Sequence, residues 1–268
     1  MEDLKVTLVQ TQLHWESVEK NISMFDEILN TVKEQTDLII FPEMFSTGFT
    51  MNTAVAETMD GKSIAWLKEK AKEKNCVITG SLMITENGKN YNRLIWMQPD
   101  GTFQTYDKRH LFRMANEQDH FTAGDKKLIA TLKGWKICPL ICYDLRFPVW
   151  SRNHSPLSLR RGAGGEVYDV LIYVANWPAR RSLAWNTLIP ARAVENQSYV
   201  VAVNRIGPDG HTVDYSGDSV AYNPLGEKLS ILQPNETKHE TVKLSWKFLQ
   251  DYREKFPAAM DADDFELK

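Results

Sequence analysis

The sequence predicts an α/β fold, a four-layer α-β-β-α sandwich made of two mixed sheets. Three observations predict it. Residues 37–41, 76–82 and 168–175 are short, largely apolar runs of the kind that form strands buried on both faces. Amphipathic stretches at helical spacing accompany them in a βαβ rhythm. Asn87-Gly88 and Asp100-Gly101 are tight-turn dipeptides that bring antiparallel hairpins into the same sheet. A mixed sheet with helices on one face must bury the other, and stacking two such sheets does so. At 268 residues, the chain is expected to form a single domain over residues 1–268.

In chain order, Val6 and Leu8 alternate with polar neighbours and open the first strand. Residues 11–15 form a loop, and Ser17 caps a helix to about residue 34 with Val18, Ile22, Phe25, Ile28, Leu29 and Val32 on one side. The strand at 37–41 ends at Pro42-Glu43, and a polar connection over 46–61 leads to a helix at 63–74. After the strand at 76–82 come short strands at 84–86, 90–97 and 102–106, separated by the tight turns. Asp107-Lys108-Arg109-His110 follows, a cluster that would ordinarily be a solvated charged turn but lies beside a strand end.

The stretch 136–147 is a buried strand, with Ile137, Leu140 and Ile141, that turns polar abruptly at Tyr143-Asp144-Leu145-Arg146. Residues 153–166, rich in Arg and Gly, form an extended loop. The strand at 168–175 runs into Asn176-Trp177-Pro178, a helix spans 182–196, and a strand follows at 199–204. Residues 220–222 and 227–232 read as two strands joined by Asn223-Pro224-Leu225-Gly226. One further strand and a helical stretch at 246–256 complete the chain. Trp246, Phe248, Tyr252 and Phe256 on that stretch suit a core, or a second subunit.

Composition excludes several classes of function. A formal net charge of −3 leaves no diffuse basic field for nucleic acid. No apolar run approaches the roughly 20 residues that cross a bilayer, so no membrane partner is expected. The acidic start passes straight into a strand, so no export signal is expected. Three cysteines argue against a disulfide framework and for a reducing, cytoplasmic setting.

Three polar residues sit at the ends of predicted strands: Glu43, Lys108 and Cys142. A thiolate nucleophile needs a base for its proton, a donor for the tetrahedral oxyanion and an acid for the leaving group, and these three residue types cover the set. A free cysteine is also among the most buried and inert residues, and a glutamate at a strand end can be a loop carboxylate. Spacing alone cannot bring the three together. Cys138 with Cys142 and a histidine would make only half of a zinc knuckle, so no metal is expected.

The motifs around the three residues resemble those of the nitrilase, or carbon-nitrogen hydrolase, superfamily. They are Phe41-Pro42-Glu43, Tyr106-Asp107-Lys108-Arg109-His110-Leu111 and Leu140-Ile141-Cys142-Tyr143-Asp144-Leu145-Arg146-Phe147-Pro148, in that order. Residues 168–178 and 190–196 match later segments of the family, so the resemblance covers nearly the whole chain. Cys142-Tyr143-Asp144-Leu145-Arg146-Phe147-Pro148 followed by Tyr173-Val174-Ala175-Asn176-Trp177-Pro178 is similar to the omega-amidase branch. That branch hydrolyses the terminal amide of 2-oxo acid monoamides such as 2-oxoglutaramate and 2-oxosuccinamate.

The resemblance implies a nitrilase-like sandwich that forms a homodimer through its helices, and a small-molecule amide as substrate. It implies Cys142 as nucleophile and Glu43 as base and acid, with Lys108 and the Tyr143 N–H stabilising the oxyanion. Glu117 is implied as a positioning carboxylate. No metal or organic cofactor is required. Arg146, Asn176 and Trp177 are the expected substrate-binding residues, with cationic loop residues at 153–161 beside them. The extended loop at 153–166 is longer than the short turn usual in that branch.

Overall fold

A computed structural model of the protein describes residues 1–153 and 167–263. In its first half, strand β1 (Leu4–Gln10) leads through helix α1 (Val18–Thr31) to β2 (Leu38–Ile40), and helix α2 (Lys62–Lys74) leads on to β3 (Val77–Glu86). The hairpin strands β4 (Lys89–Met97) and β5 (Phe103–Asp107) follow, and then the short helix α3 (Glu117–His120). The second half contains β6 (Ala130–Leu132), β7 (Trp135–Ile141), a 3-10 turn (Cys142–Arg146), α4 (Pro148–Ser151) and β8 (Val170–Ala175). Next come α5 (Ser182–Asn196), β9 (Tyr199–Asn204), a ribbon of β10 (Ile206–Pro208) and β11 (Asp214–Ser216), β12 (Val220–Tyr222), β13 (Lys238–Leu244) and α6 (Trp246–Lys255).

The expected sandwich is present. One sheet has the order β13-β1-β2-β3-β4-β5, the other β12-β9-β8-β7-β6, and each has a parallel centre with antiparallel edges. Strand alternation decides which faces meet. Leu4, Val6 and Leu8 of β1, with Leu94 and Trp96 of β4, join Ile137 and Ile141 of β7 in the core between the sheets. The opposite rows, Val9, Ile39, Ile78 and Ile95, pack with Phe25 and Leu29 of α1 and Trp66 and Leu67 of α2. Trp185, Ile189 and Ala193 of α5 and Leu249 of α6 extend the inter-sheet core around the second sheet.

The structure differs from the expected elements at several places. β3 runs unbroken through Leu82 to Glu86, because it pairs with all of β4 from Ile78–Met97 to Glu86–Lys89. Residues 227–232 make only a bridge, Tyr222 to Lys228. The reason is competition for donors: the N–H groups of Ile231 and Leu232 are taken by the Glu240 carboxylate at 2.9–3.1 Å and not by β12. The β10–β11 ribbon was not expected. Trp246 and Phe248 pack on the core, whereas Phe256 is 57 % exposed. Of the extended loop at 153–166, only Asn153 lies within the described residues; it bonds to Asn196 and Tyr168 at the foot of α5.

Candidate active site

Glu43 reaches its place because the residues after β2 are clamped onto β3. Phe41 and Phe45 donate their N–H groups to the carbonyls of Thr79 and Ser81 at 2.8 and 3.1 Å, and Met44 N–H donates to Ser81 Oγ at 2.8 Å. The turn requires a φ of +43° at Met44. Gly80 permits the approach, since a Cβ there would lie 2.9 Å from both Phe41 and Phe45. Lys108 follows β5 and donates its backbone N–H to Asn92 of β4 at 3.0 Å. It therefore continues the inward row of Tyr106.

Cys142 stands where β7 passes into the 3-10 turn, with a φ of +42°, a conformation that a side chain adopts only when its surroundings hold it there. Asp144 supplies that hold. Its buried carboxylate accepts from Ile141 N–H, His110 N–H and Tyr106 Oη at 3.0, 3.0 and 2.7 Å, and Trp150 Nε1 in turn donates to Tyr106 Oη at 3.0 Å. Asp144 thus orients the turn and does not face the pocket. The Tyr143 N–H lies in the first turn of the 3-10 helix, where main-chain donors have no intrahelical acceptor.

Folding brings the separated residues together. Lys108 Nζ lies 2.8 Å from Glu43 Oε1 and 3.0 Å from both Glu117 oxygens, and all three side chains are buried. Glu117 also accepts the Phe112 N–H. Asn176 joins the second sheet to this group: its N–H donates to Glu43 Oε2 at 2.8 Å, its side-chain amide donates to the Glu43 carbonyl, and its own carbonyl faces Cys142 Sγ at 3.8 Å. Expected as a substrate contact, Asn176 spends its donors on Glu43, although it also borders the pocket.

Burial and the negative charge of Glu43 push the Cys142 thiol well above its ordinary pKa, and Lys108 only partly opposes them. The resting sulfur is therefore a thiol beside a base. Burial alone would favour neutral Lys108, but Glu117 and Glu43 outweigh it and hold the ammonium charged. Glu117 is shifted upward, first by burial and further by Glu43, with Lys108 opposing.

The thiol opens into a pocket of about 290 Å³. Phe49, Met51, Phe112, Tyr143, Trp177 and Tyr215 supply apolar walls, and Arg146, Arg180 and Arg181 stand at the mouth. Arg146 lies 4.8 Å from the Trp177 ring and Arg181 lies 5.2 Å from the Phe112 ring, so both guanidinium groups rest on aromatic faces. Among the described residues, none of the three arginines has a carboxylate partner. Burial, followed by Arg180 and Arg146, lowers the pKa of Arg181. Arg146 and Trp177 border the pocket. Asn153 does not, and residues 154–161 lie outside the described part.

Sequence reasoning missed Asn92, Arg180 and Arg181. Asn92 breaks an otherwise apolar row shared with Leu94 and Trp96, and the two arginines directly follow the strand end at Asn176-Trp177-Pro178. Those were the available signals.

A buried thiol, carboxylate and ammonium gathered at strand ends of two stacked sheets define a class, and comparison with known proteins names it. The carbon-nitrogen hydrolase family model matches residues 5–254, and the chain belongs to that family: it is a carbon-nitrogen hydrolase. Within the family it is 43% identical to omega-amidase YafV of Escherichia coli (strain K12) over 267 residues, covering 100% of both chains. It is 31% identical to the 2-oxoglutaramate amidase of Bacillus subtilis, over 84% of this chain and 85% of that one. The crystal structure of XC1258 from Xanthomonas campestris, a CN-hydrolase superfamily protein with an arsenic adduct in its active site, superposes with a TM-score of 0.95 at 40% identity over 100% of both chains. An amidase from Nesterenkonia sp. shares the fold, with a TM-score of 0.79 and 23% identity over 96% of each chain.

Proposed function

We propose that this protein hydrolyses the terminal amide of small 2-oxo acid ω-amides, 2-oxoglutaramate and 2-oxosuccinamate among them, to the acid and ammonia through a thioester on Cys142. One observation carries the reading: a buried Cys142, Glu43 and Lys108 group opens into a pocket whose mouth bears three arginines without carboxylate partners among the described residues. A guanidinium resting on an aromatic face keeps its forked donors free for a substrate carboxylate. The names of the relatives point the same way.

The chemistry follows from the arrangement. Glu43 takes the thiol proton as Cys142 Sγ attacks the amide carbon, and the carbonyl oxygen becomes an oxyanion facing Lys108 Nζ and the Tyr143 N–H. The C–N bond breaks, and Glu43 returns the proton to the departing ammonia. Water, deprotonated by the same carboxylate, then attacks the thioester. Cys142 leaves with the proton restored, and the acid departs. Glu117, 3.0 Å from Lys108 Nζ, serves in this reading as the positioning carboxylate.

The test compares kcat/KM for ω-amides of 2-oxo acids with that for carbamoyl amines and nitriles of matched chain length. Higher values for the acid amides are expected; equal or better turnover of the amine series rejects the assignment. The same reading takes the chain as one domain over residues 1–268, acting in the cytoplasm as a homodimer. Exposed Leu183 and Val194 on α5 offer an apolar face for the second copy, and a monomer mass by light scattering would remove that part.

A further inference from the structure

Asn92 is buried on β4 in the row that faces the inter-sheet core, two residues before Leu94 and four before Trp96. Its Nδ2 donates to Glu43 Oε1 at 2.8 Å and to Glu117 Oε1 at 3.3 Å, and its backbone carbonyl accepts the Lys108 N–H at 3.0 Å. One side chain therefore bridges two carboxylates that would otherwise repel each other across Lys108. Asn92 Oδ1 is buried with no partner. That orphan is informative: turning the amide over would point Oδ1 at both carboxylates, exchanging an unmade bond for acceptor facing acceptor. The orientation is set by the two charges it serves.

We infer that Asn92 is a positioning residue which bridges Glu43 and Glu117 and keeps the pair deprotonated around Lys108, so that Glu43 enters the reaction as a base. A donor to the charged form of a carboxylate favours that form, and the preference is largest where water is excluded. The other groups facing the pair are Lys108 from the end of β5 and Cys142 from the end of β7. Arg181 and Tyr215 act only through the field at Cys142. Lys108 and Asn92 both touch the two acids, and Asn92 is the uncharged one.

The inference rests on the reading of Glu43 as the base, and the test separates the two. The pH profile of kcat/KM for 2-oxoglutaramate hydrolysis is measured for the wild type, Asn92→Ala and Asn92→Asp, with a thermal melt of each. Asn92→Asp has nearly the same size and guards against a variant that fails only by leaving a cavity. A wild type without amidase activity would overturn the function itself. Given activity, the acid limb is expected to rise by about one pH unit in Asn92→Ala, the order of a hydrogen bond to a charged group, and further in Asn92→Asp, which adds a third carboxylate. On the acid limb the kcat of Asn92→Ala should fall about tenfold and recover as pH rises, with KM changed less than about threefold. A melt that drops while the acid limb stays within about 0.2 pH units in both variants would leave Asn92 a merely structural residue and overturn the inference.

Discussion

Replacing Glu43 with glutamine removes a base while conserving shape, and the structure allows the cost to be worked through. Glu43 Oε1 accepts from Lys108 Nζ and Asn92 Nδ2, and Oε2 accepts from Asn176 N–H, each at 2.8 Å. Glutamine offers one acceptor and one NH₂ group in place of two acceptors. Placed either way, the NH₂ faces a buried donor, so at least one donor goes unmet at a cost of about 1–3 kcal/mol. For a chain of this size that lowers Tm by several degrees, on the order of 2–4 °C per kcal/mol. Lys108 keeps both Glu117 oxygens at 3.0 Å, so the fold should survive. Catalysis loses far more. General acid-base assistance contributes on the order of 10²–10⁴-fold, and Glu43 serves both half-reactions, so Glu43→Gln should lose on the order of 10³-fold or more in kcat. Ammonia release, measured on protein verified as folded by its melt, is the assay. A kcat within tenfold of wild type, with the small Tm loss present, would show Glu43 to be a structural carboxylate and refute the reasoning.

Cys142→Ala and Cys142→Ser should abolish turnover with little change in Tm, and substantial activity in either would end the thioester mechanism. Lys108→Met should lose at least about 10²-fold in kcat as an oxyanion donor. It also leaves Glu43 and Glu117 buried without their cation, which raises their pKa values in the folded state. Its melt should therefore fall further at pH 8 than at pH 5, and a loss independent of pH would contradict the charge argument. Arg181→Met and Arg146→Met should raise KM for 2-oxo acid amides more than for an uncharged amide of equal length; equal effects on both would dismiss carboxylate recognition. Burial pushes Cys76 and Cys138 up to about 12 from an ordinary 9.0. In the unfolded chain both thiols ionise first, so their contribution to stability is complete below about pH 9 and is lost as pH rises toward about 12, at about 1.4 kcal/mol per pH unit for each. Alanine at both positions should flatten the decline of stability with alkaline pH, and an unchanged slope would refute the assignment.

How much of this was legible from the residues varies with the range of the interaction involved. The helices expected over 182–196 and 63–74 and the strand over 199–204 were readable because apolar spacing is local. The strand expected at 227–232 was not formed, because its competitor for hydrogen bonds, Glu240, lies on another element. Asn92 carried a weak local signal in the row of Leu94 and Trp96. Nothing nearby in the chain could show that its amide meets Glu43 and Glu117, 49 and 25 residues away.

By itself, the sequence determined the α/β class, the hairpin turns, and the motif residues Glu43, Lys108 and Cys142 together with the family they resemble. All of these depend on neighbours within a few residues or on the order of motifs along the chain. Tertiary structure alone decided which side chains share the site. It pairs Lys108 with two carboxylates, turns Asn176 toward Glu43, assigns Asp144 to the Cys142 turn, and brings Arg180 and Arg181 to the mouth beside Arg146. The physical reason is that protonation and orientation here are set by through-space charge and by hydrogen bonds between strands of different sheets. Residue type and spacing along the chain carry no record of either.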